Sequence, residues 1–215
     1  SAIASSPSTF YMGEDMEAIR DHFREASLCL LAASPSVPPS PPLPPSPPAL
    51  PPSSPSPPSR PPPPPPCTVP LELVLVLDKS GSVRYAQQQI LAFARDLIGQ
   101  FSLGAGAAQV GLVEFNHDAA VLSGLTSSFD SLDSALEGAS AAGGLTSVSD
   151  GLSAGLGVVD GAGSRAGVPR TILLLTDGVQ TADGDDRDAI AEASVVKAAG
   201  VQLVAVGFGS ARAAT

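Results

Sequence analysis

The chain is short of basic residues, of cysteine and of long apolar runs, and each shortage closes off a class of function. Its 215 residues carry 11 Lys and Arg against 21 Asp and Glu, for a formal charge of -10. Only two of the basic residues, Lys79 and Lys197, are lysines. A nucleic-acid backbone is bound by clustered Lys and Arg that displace counterions, so this composition argues against that partner. Acidity also concentrates cations locally, but a surface charged for solubility is the better account of it. No apolar stretch approaches the ~20 residues that cross a bilayer; the longest are strand-like runs such as Leu71 to Leu77. Two cysteines, Cys29 and Cys67, are too few for a disulfide scaffold and wrongly spaced for a zinc site. They could pair with each other, Cys67 could pair with a cysteine beyond Thr215, or both could remain thiols. The chain starts with Ser, and no basic, apolar and small-residue signal pattern precedes Tyr11, so it reads as a mature or fragmentary product in which secretion is neither read nor excluded.

What the chain does have is a sharp change of composition. Nearly all of its 23 prolines fall between Pro35 and Pro70. From 35 to 66 the sequence is almost only Pro and Ser, as in PPSPPLPPSPP, which cannot bury apolar surface and is expected to run as polyproline II. At ~3.1 Å per residue such a linker spans on the order of 100 Å and works as a stalk. Arg60 ahead of a proline run fits the charge-plus-PxxP pattern that aromatic-lined peptide-binding domains recognise, but any basic residue beside prolines would match, and the spacer reading is preferred. Residues 1–34 form a separate short segment. Within it Met16, Ile19, Phe23, Ala26 and Leu30 recur at helical spacing over 14 to 32, giving a helix that is the tail of an upstream domain or docks on the downstream one. His22 is expected on its polar side.

Residues 67–215 make the folded domain, and about 150 residues are enough to bury a core. LELVLVLD reads as a buried parallel strand, and Val83 to Phe101 as a long helix with Ile90, Phe93, Leu97 and Phe101 on one stripe. QVGLVEF and AAVLSGL read as two strands of a hairpin turning at Asn116 and His117. Helices are expected over 128 to 138, 147 to 160 and 186 to 199, with strands at TILLLTD and VQLVAVGFG. This alternation predicts a doubly wound, Rossmann-like α/β fold, a mostly parallel sheet flanked by helices, with the extended polyproline linker before it.

In such a sheet the ligand site lies beyond the carboxyl ends of the central strands. There the sequence reads DKSGS and TDG. Asp78, Ser80 and Ser82 fall at two-residue intervals in a turn that Gly81 allows to be tight. Asp177 ends another apolar strand, and Thr146 follows Gly143 and Gly144 in a loop ahead of a helix. Taken alone, DKSGS would be an ordinary helix cap; together with Thr146 and Asp177 it becomes a set of hard oxygen ligands. Such a set suits magnesium or manganese, and calcium less well in a small octahedral site. With two carboxylates and three hydroxyls the metal's charge is incompletely offset, which favours an incoming carboxylate as sixth ligand.

The D-x-S-x-S motif, the Gly-Gly-x-Thr loop and the strand ending Thr-Asp-Gly resemble the metal-ion-dependent adhesion site of von Willebrand factor A domains, over about 145 residues. The resemblance implies that Ser80, Ser82 and Thr146 contact the metal directly and that Asp78 and Asp177 act directly or through water. It also implies a non-enzymatic module that grips an Asp or Glu carboxylate of a protein ligand. Asp150 matches an acidic position of the family, with a cap or solvent exposure as the alternative. The chain departs from the pattern at Lys79, which is expected to point to solvent. It also ends soon after VAVGFG, where the family adds a helix and an edge strand, so the last strand is expected to be an exposed edge. The Ser and Pro blocks resemble hydroxyproline-rich wall glycoproteins of plants and green algae, which implies an extracellular matrix or cell-wall setting. The alternative is an intracellular assembly module.

Two enzyme-like signals fail on context. GLSAG at 151–155 matches the G-x-S-x-G elbow of serine hydrolases, but it reads as helix and no histidine follows residue 117. The GAG at 104–106 lacks the phosphate-loop lysine and does not link a strand to a helix.

Overall fold

The computed structural model describes residues 10–12, 70–178, 180–182 and 186–208. The expected helix over 14 to 32, His22, both cysteines, Arg60 and the proline-rich stretch lie outside the described residues. The strands are β1 (Phe10–Met12), β2 (Leu71–Asp78), β3 (Ala108–Phe115), β4 (Ala119–Thr126), β5 (Arg170–Thr176) and β6 (Gln202–Gly207). They form one sheet in the order β1-β6-β5-β2-β3-β4, parallel throughout except for β4. The helices are α1 (Gln87–Ile98), α2 (Phe129–Glu137), α3 (Val148–Val159) and α4 (Asp186–Ala198).

β2 occupies the centre because all eight of its residues are buried. Alternate side chains of a strand point to opposite faces, and here each face has its own core. Leu73, Leu75 and Leu77 pack with Ile90 and Leu97 of α1 and Leu132 of α2. Val74 and Val76 pack with Leu152 of α3 and Ala193 of α4. Glu72 is the exception in this apolar strand, fully buried at 0% exposure. Its carboxylate accepts from the Ser164 hydroxyl at 2.9 Å and from the Arg165 backbone and guanidinium. Arg165 in turn donates to the carbonyls of Leu71, Ala105 and Ala107. This staple ties the amino ends of the strands, opposite the end where the site lies.

The hairpin of β3 and β4 is antiparallel, as the sequence pattern indicates. The single long helix expected over Val83 to Phe101 is instead two elements. A 3-10 turn covers Ser82–Tyr85, closed by the i+3 bond from the Ala86 N–H to the Val83 carbonyl at 2.8 Å, and α1 then runs only to Ile98. Gly99 ends it, so Phe101 packs against the core from beyond the helix.

GLSAG lies inside α3, with Ser153 exposed. Its glycines have a packing role: a Cβ on Gly151 would come within 2.8 Å of the Phe115 ring, and one on Gly155 within 2.9 Å of Val76. The helix therefore rides close on the sheet, and no strand feeds Ser153 as a nucleophile elbow requires.

β6 is not the exposed edge that the sequence led us to expect. Phe10, Tyr11 and Met12 pair in parallel with Ala205, Val206 and Gly207. The unpaired backbone of a bare edge invites any strand that can reach it, and here the segment ahead of the proline tract supplies one.

Candidate metal centre

β2 and β5 are parallel neighbours with Leu77 beside Leu175, so their next residues, Asp78 and Thr176, emerge together at the carboxyl end. The Thr176 hydroxyl donates to one oxygen of Asp78 at 2.6 Å, and the Ser80 N–H donates to the other at 2.7 Å. The second bond closes the tight turn in which Ser80 is fully buried. From Ser80 a chain of side-chain contacts leads outward. Its hydroxyl lies 3.0 Å from that of Ser82, and the Ser82 hydroxyl donates to Asp177 at 2.8 Å. Asp78, Ser80, Ser82 and Asp177 are thus one hydrogen-bonded group spanning two strand ends.

Thr146 arrives by a different route. The loop before it docks on the DKSGS turn through two backbone bonds, Gly143 N–H to the Lys79 carbonyl at 2.7 Å and Gly81 N–H to the Gly144 carbonyl at 3.0 Å. The approach is close enough that a Cβ on Gly81 would sit 3.2 Å from the Gly144 oxygen, and Gly144 itself has φ +84. Glycine meets both demands. Thr146 is 4% exposed, and its N–H donates to the Thr181 hydroxyl at 2.9 Å while its carbonyl accepts from the N–H groups of Thr181 and Ala182. Four of the five expected residues are therefore linked by hydrogen bonds, and Thr146 follows the Gly143–Gly144 segment that docks on the DKSGS turn.

Asp150 does not join them. Exposed in the first turn of α3, it serves the cap residue Ser147, whose hydroxyl donates to its carboxylate at 2.7 Å and accepts from its backbone N–H at 3.4 Å. Lys79 does not point freely to solvent either. Its ammonium donates to Glu114 at 2.8 Å and to the Ser140 hydroxyl at 2.7 Å. The buried Glu114 carboxylate needs a cation, and this contact draws the lysine away from the centre.

The electrostatics fit a cation. Asp78 is 1% exposed, and burial raises its pKa above the ordinary value against the opposing hydrogen bonds from Thr176 and Ser80, with Asp177 adding repulsion. A buried carboxylate beside a second one, with hydroxyl oxygens in contact, is a hard-donor cluster that a divalent ion would compensate. At Glu114 burial also acts upward, but the hydrogen bonds from Lys79 and Ser140 outweigh it and hold the pKa below the usual glutamate value.

Sequence reasoning missed Thr176 as the partner of Asp78, and it missed Gln87, Glu114, Asn116 and Ser140, which hold the loop. One signal was available. A glutamate inside the otherwise apolar QVGLVEF has to find a partner when buried, and Lys79 is one of only two lysines.

The family model described as von Willebrand factor type A domain matches residues 72–215. No curated protein is similar enough in sequence to count as a relative. Among solved structures, proximal thread matrix protein 1 of the mussel byssus, with a zinc-occupied MIDAS motif, is 25% identical, with a TM-score of 0.56 over 67% of this chain and 38% of its own. An aerotolerance-related membrane protein from Bacteroides fragilis is 27% identical, with a TM-score of 0.51 over 64% of this chain and 67% of its own. The manganese-loaded TRAP protein of Plasmodium vivax shares the fold at 21% identity and a TM-score of 0.55, over 66% of this chain and 59% of its own. The chain therefore spans well under half the length of the mussel protein that it resembles.

Proposed function

From the premise that the chain belongs to the von Willebrand factor type A domain family, we propose that Asp78, Ser80, Ser82, Thr146 and Asp177 hold a magnesium or manganese ion through which the domain binds a carboxylate of a protein ligand. The observation that carries this reading is the contact chain Asp78, Ser80, Ser82 and Asp177, anchored on a buried carboxylate. When bound, the ion would supply the positive charge that attracts an Asp or Glu side chain. The chain's own residues supply the rest. Thr176 and the Ser80 N–H orient Asp78, the Gly81 and Gly144 contact holds the loop that carries Thr146 against the DKSGS turn, and the Lys79 ammonium is turned toward Glu114. This is recognition rather than catalysis; the one hydrolase-like motif, GLSAG, is a packing feature of α3.

We place this binding in an extracellular matrix or cell wall, with the proline-rich tract of residues 35–66 as the stalk. The support is the composition of that tract. Hydroxyproline or arabinose found on the tract in native protein supports the wall setting, and their absence favours an intracellular assembly module. The metal reading is tested by calorimetric titration of magnesium and manganese into the full chain beside an Asp78→Ala, Ser80→Ala variant. Saturable binding by the wild type alone is expected; a folded wild type without affinity for either ion refutes it.

A further inference from the structure

The loop that delivers Thr146 has no regular structure from Ala139 to Ser147, yet it is held along most of its length. Glu114, 6% exposed at the end of β3, uses both carboxylate oxygens on Ser140, accepting from its N–H at 3.1 Å and its hydroxyl at 2.6 Å. Lys79 bridges the same two residues. Gln87, from the first turn of α1, donates to the Ser140 carbonyl at 2.7 Å and accepts from the Ala142 N–H at 3.1 Å. Asn116 donates to the Gly143 carbonyl at 2.9 Å, and its own carbonyl accepts from the Ser147 N–H at 2.6 Å. Ser140, Ala142, Gly143, Gly144 and Ser147 thus each have a backbone group fixed by another element, on both sides of Thr146.

We propose that Lys79 and Glu114 are positioning residues for the metal centre, their ion pair clamping Ser140 so that Thr146 is set in place before any ion arrives. The inference rests on the metal reading above. Two features of the geometry support it. Lys79 sits between two of the expected ligands, Asp78 and Ser80, so one residue couples both halves of the site: its backbone carbonyl takes the Gly143 N–H and its ammonium takes Ser140. The second feature is that a lysine in this position would repel a divalent cation if it faced inward. The Glu114 carboxylate converts that liability into a tether. Groups that orient metal ligands from behind typically change affinity by about 10–100-fold when removed.

The opposite signs of positioning and charge make the test decisive. Manganese affinity is measured by calorimetry for the full-length wild type, Lys79→Met, Lys79→Arg, Glu114→Gln, Thr146→Ala and the Lys79→Met, Thr146→Ala double variant. Amide hydrogen exchange is followed on the metal-free proteins. Positioning predicts binding about tenfold weaker or worse in Lys79→Met and Glu114→Gln. It also predicts substantial rescue by Lys79→Arg, and faster exchange at Gly143 and Gly144 while β2 and β5 stay protected. In the Thr146→Ala background Lys79→Met should cost little more, because coupled residues are not additive. If Lys79 acted only as a nearby charge, its replacement by Met would tighten binding. Unchanged or tighter binding, or equal losses in both backgrounds, overturns the positioning role alone. Should Lys79→Met fail to fold, Glu114→Gln decides by the same criteria. A wild type that takes up no manganese overturns the metal reading and this inference together.

Discussion

Thr176 and Asp78 stand side by side on adjacent parallel strands, and the threonine hydroxyl donates to the buried carboxylate at 2.6 Å. The bond holds the carboxylate in one orientation where burial works against its ionisation, whereas the proposed metal would need it ionised.

This predicts a trade between stability and binding at Asp78. Because burial raises its pKa in the folded state, the charged form opposes folding: the proton-linked contribution is full at low pH and is lost as pH rises through the elevated folded value. Asp78→Asn can keep both neighbours, accepting from Ser80 and donating to Thr176. It should therefore melt higher than wild type at neutral pH in EDTA, by about 2–4 °C per kcal/mol gained, and bind no manganese. Thermal melts by circular dichroism with and without metal check both parts. A lower melting temperature in EDTA would contradict the electrostatic reading.

Glu114 has the opposite sign. Its pKa is held below the ordinary value of 4.5 by Lys79 and Ser140 despite burial, so its contribution is present above the ordinary value and is lost as pH falls through the lower folded one. Wild type and Glu114→Gln should accordingly differ by a constant amount near neutrality, and the gap should close below the glutamate range. Denaturation at a series of pH values measures this, and a gap that widens on acidification would count against the pairing.

The α3 glycines give a prediction about packing. Gly151→Ala would drive a methyl group into Phe115, at 2.8 Å, and overpacking of this kind costs about 1–3 kcal/mol. Ser153→Ala, on the exposed side of the same helix, should be silent. Urea denaturation of the two variants checks this packing role, and a Gly151→Ala variant as stable as wild type would contradict it.

At the sheet edge, Tyr11→Pro removes an N–H and fixes φ in the short β1 that pairs with β6. The variant should leave the β6 edge open and self-associate more readily. Light scattering over a concentration series is the check; unchanged association would mean that β1 does not protect this edge.

Much of this architecture was legible because the physics is local. LELVLVLD and TILLLT are continuous apolar runs, and a strand buried on both faces must read that way. The motif residues sit where those runs end, so the strand ends located Asp78, Ser80, Ser82 and Asp177. Other features depend on residues far apart in sequence. The pairing of Lys79 with Glu114 crosses 35 residues and that of Thr176 with Asp78 crosses 98, and neither has a local pattern. β1 was illegible for a related reason: three residues are too few to show an alternation, and their partner strand lies at the other end of the chain. The long helix failed at its start because a 3-10 turn and an α-helix share the same apolar spacing over one turn.

The most direct test of the central claim is to locate manganese in crystals of the full chain by anomalous diffraction at its absorption edge. One strong peak is expected, ringed by the side-chain oxygens of Asp78, Ser80, Ser82, Thr146 and Asp177 and absent from the Asp78→Ala, Ser80→Ala variant. A manganese-saturated crystal with its peak elsewhere, or with none at the ends of β2 and β5, would contradict it.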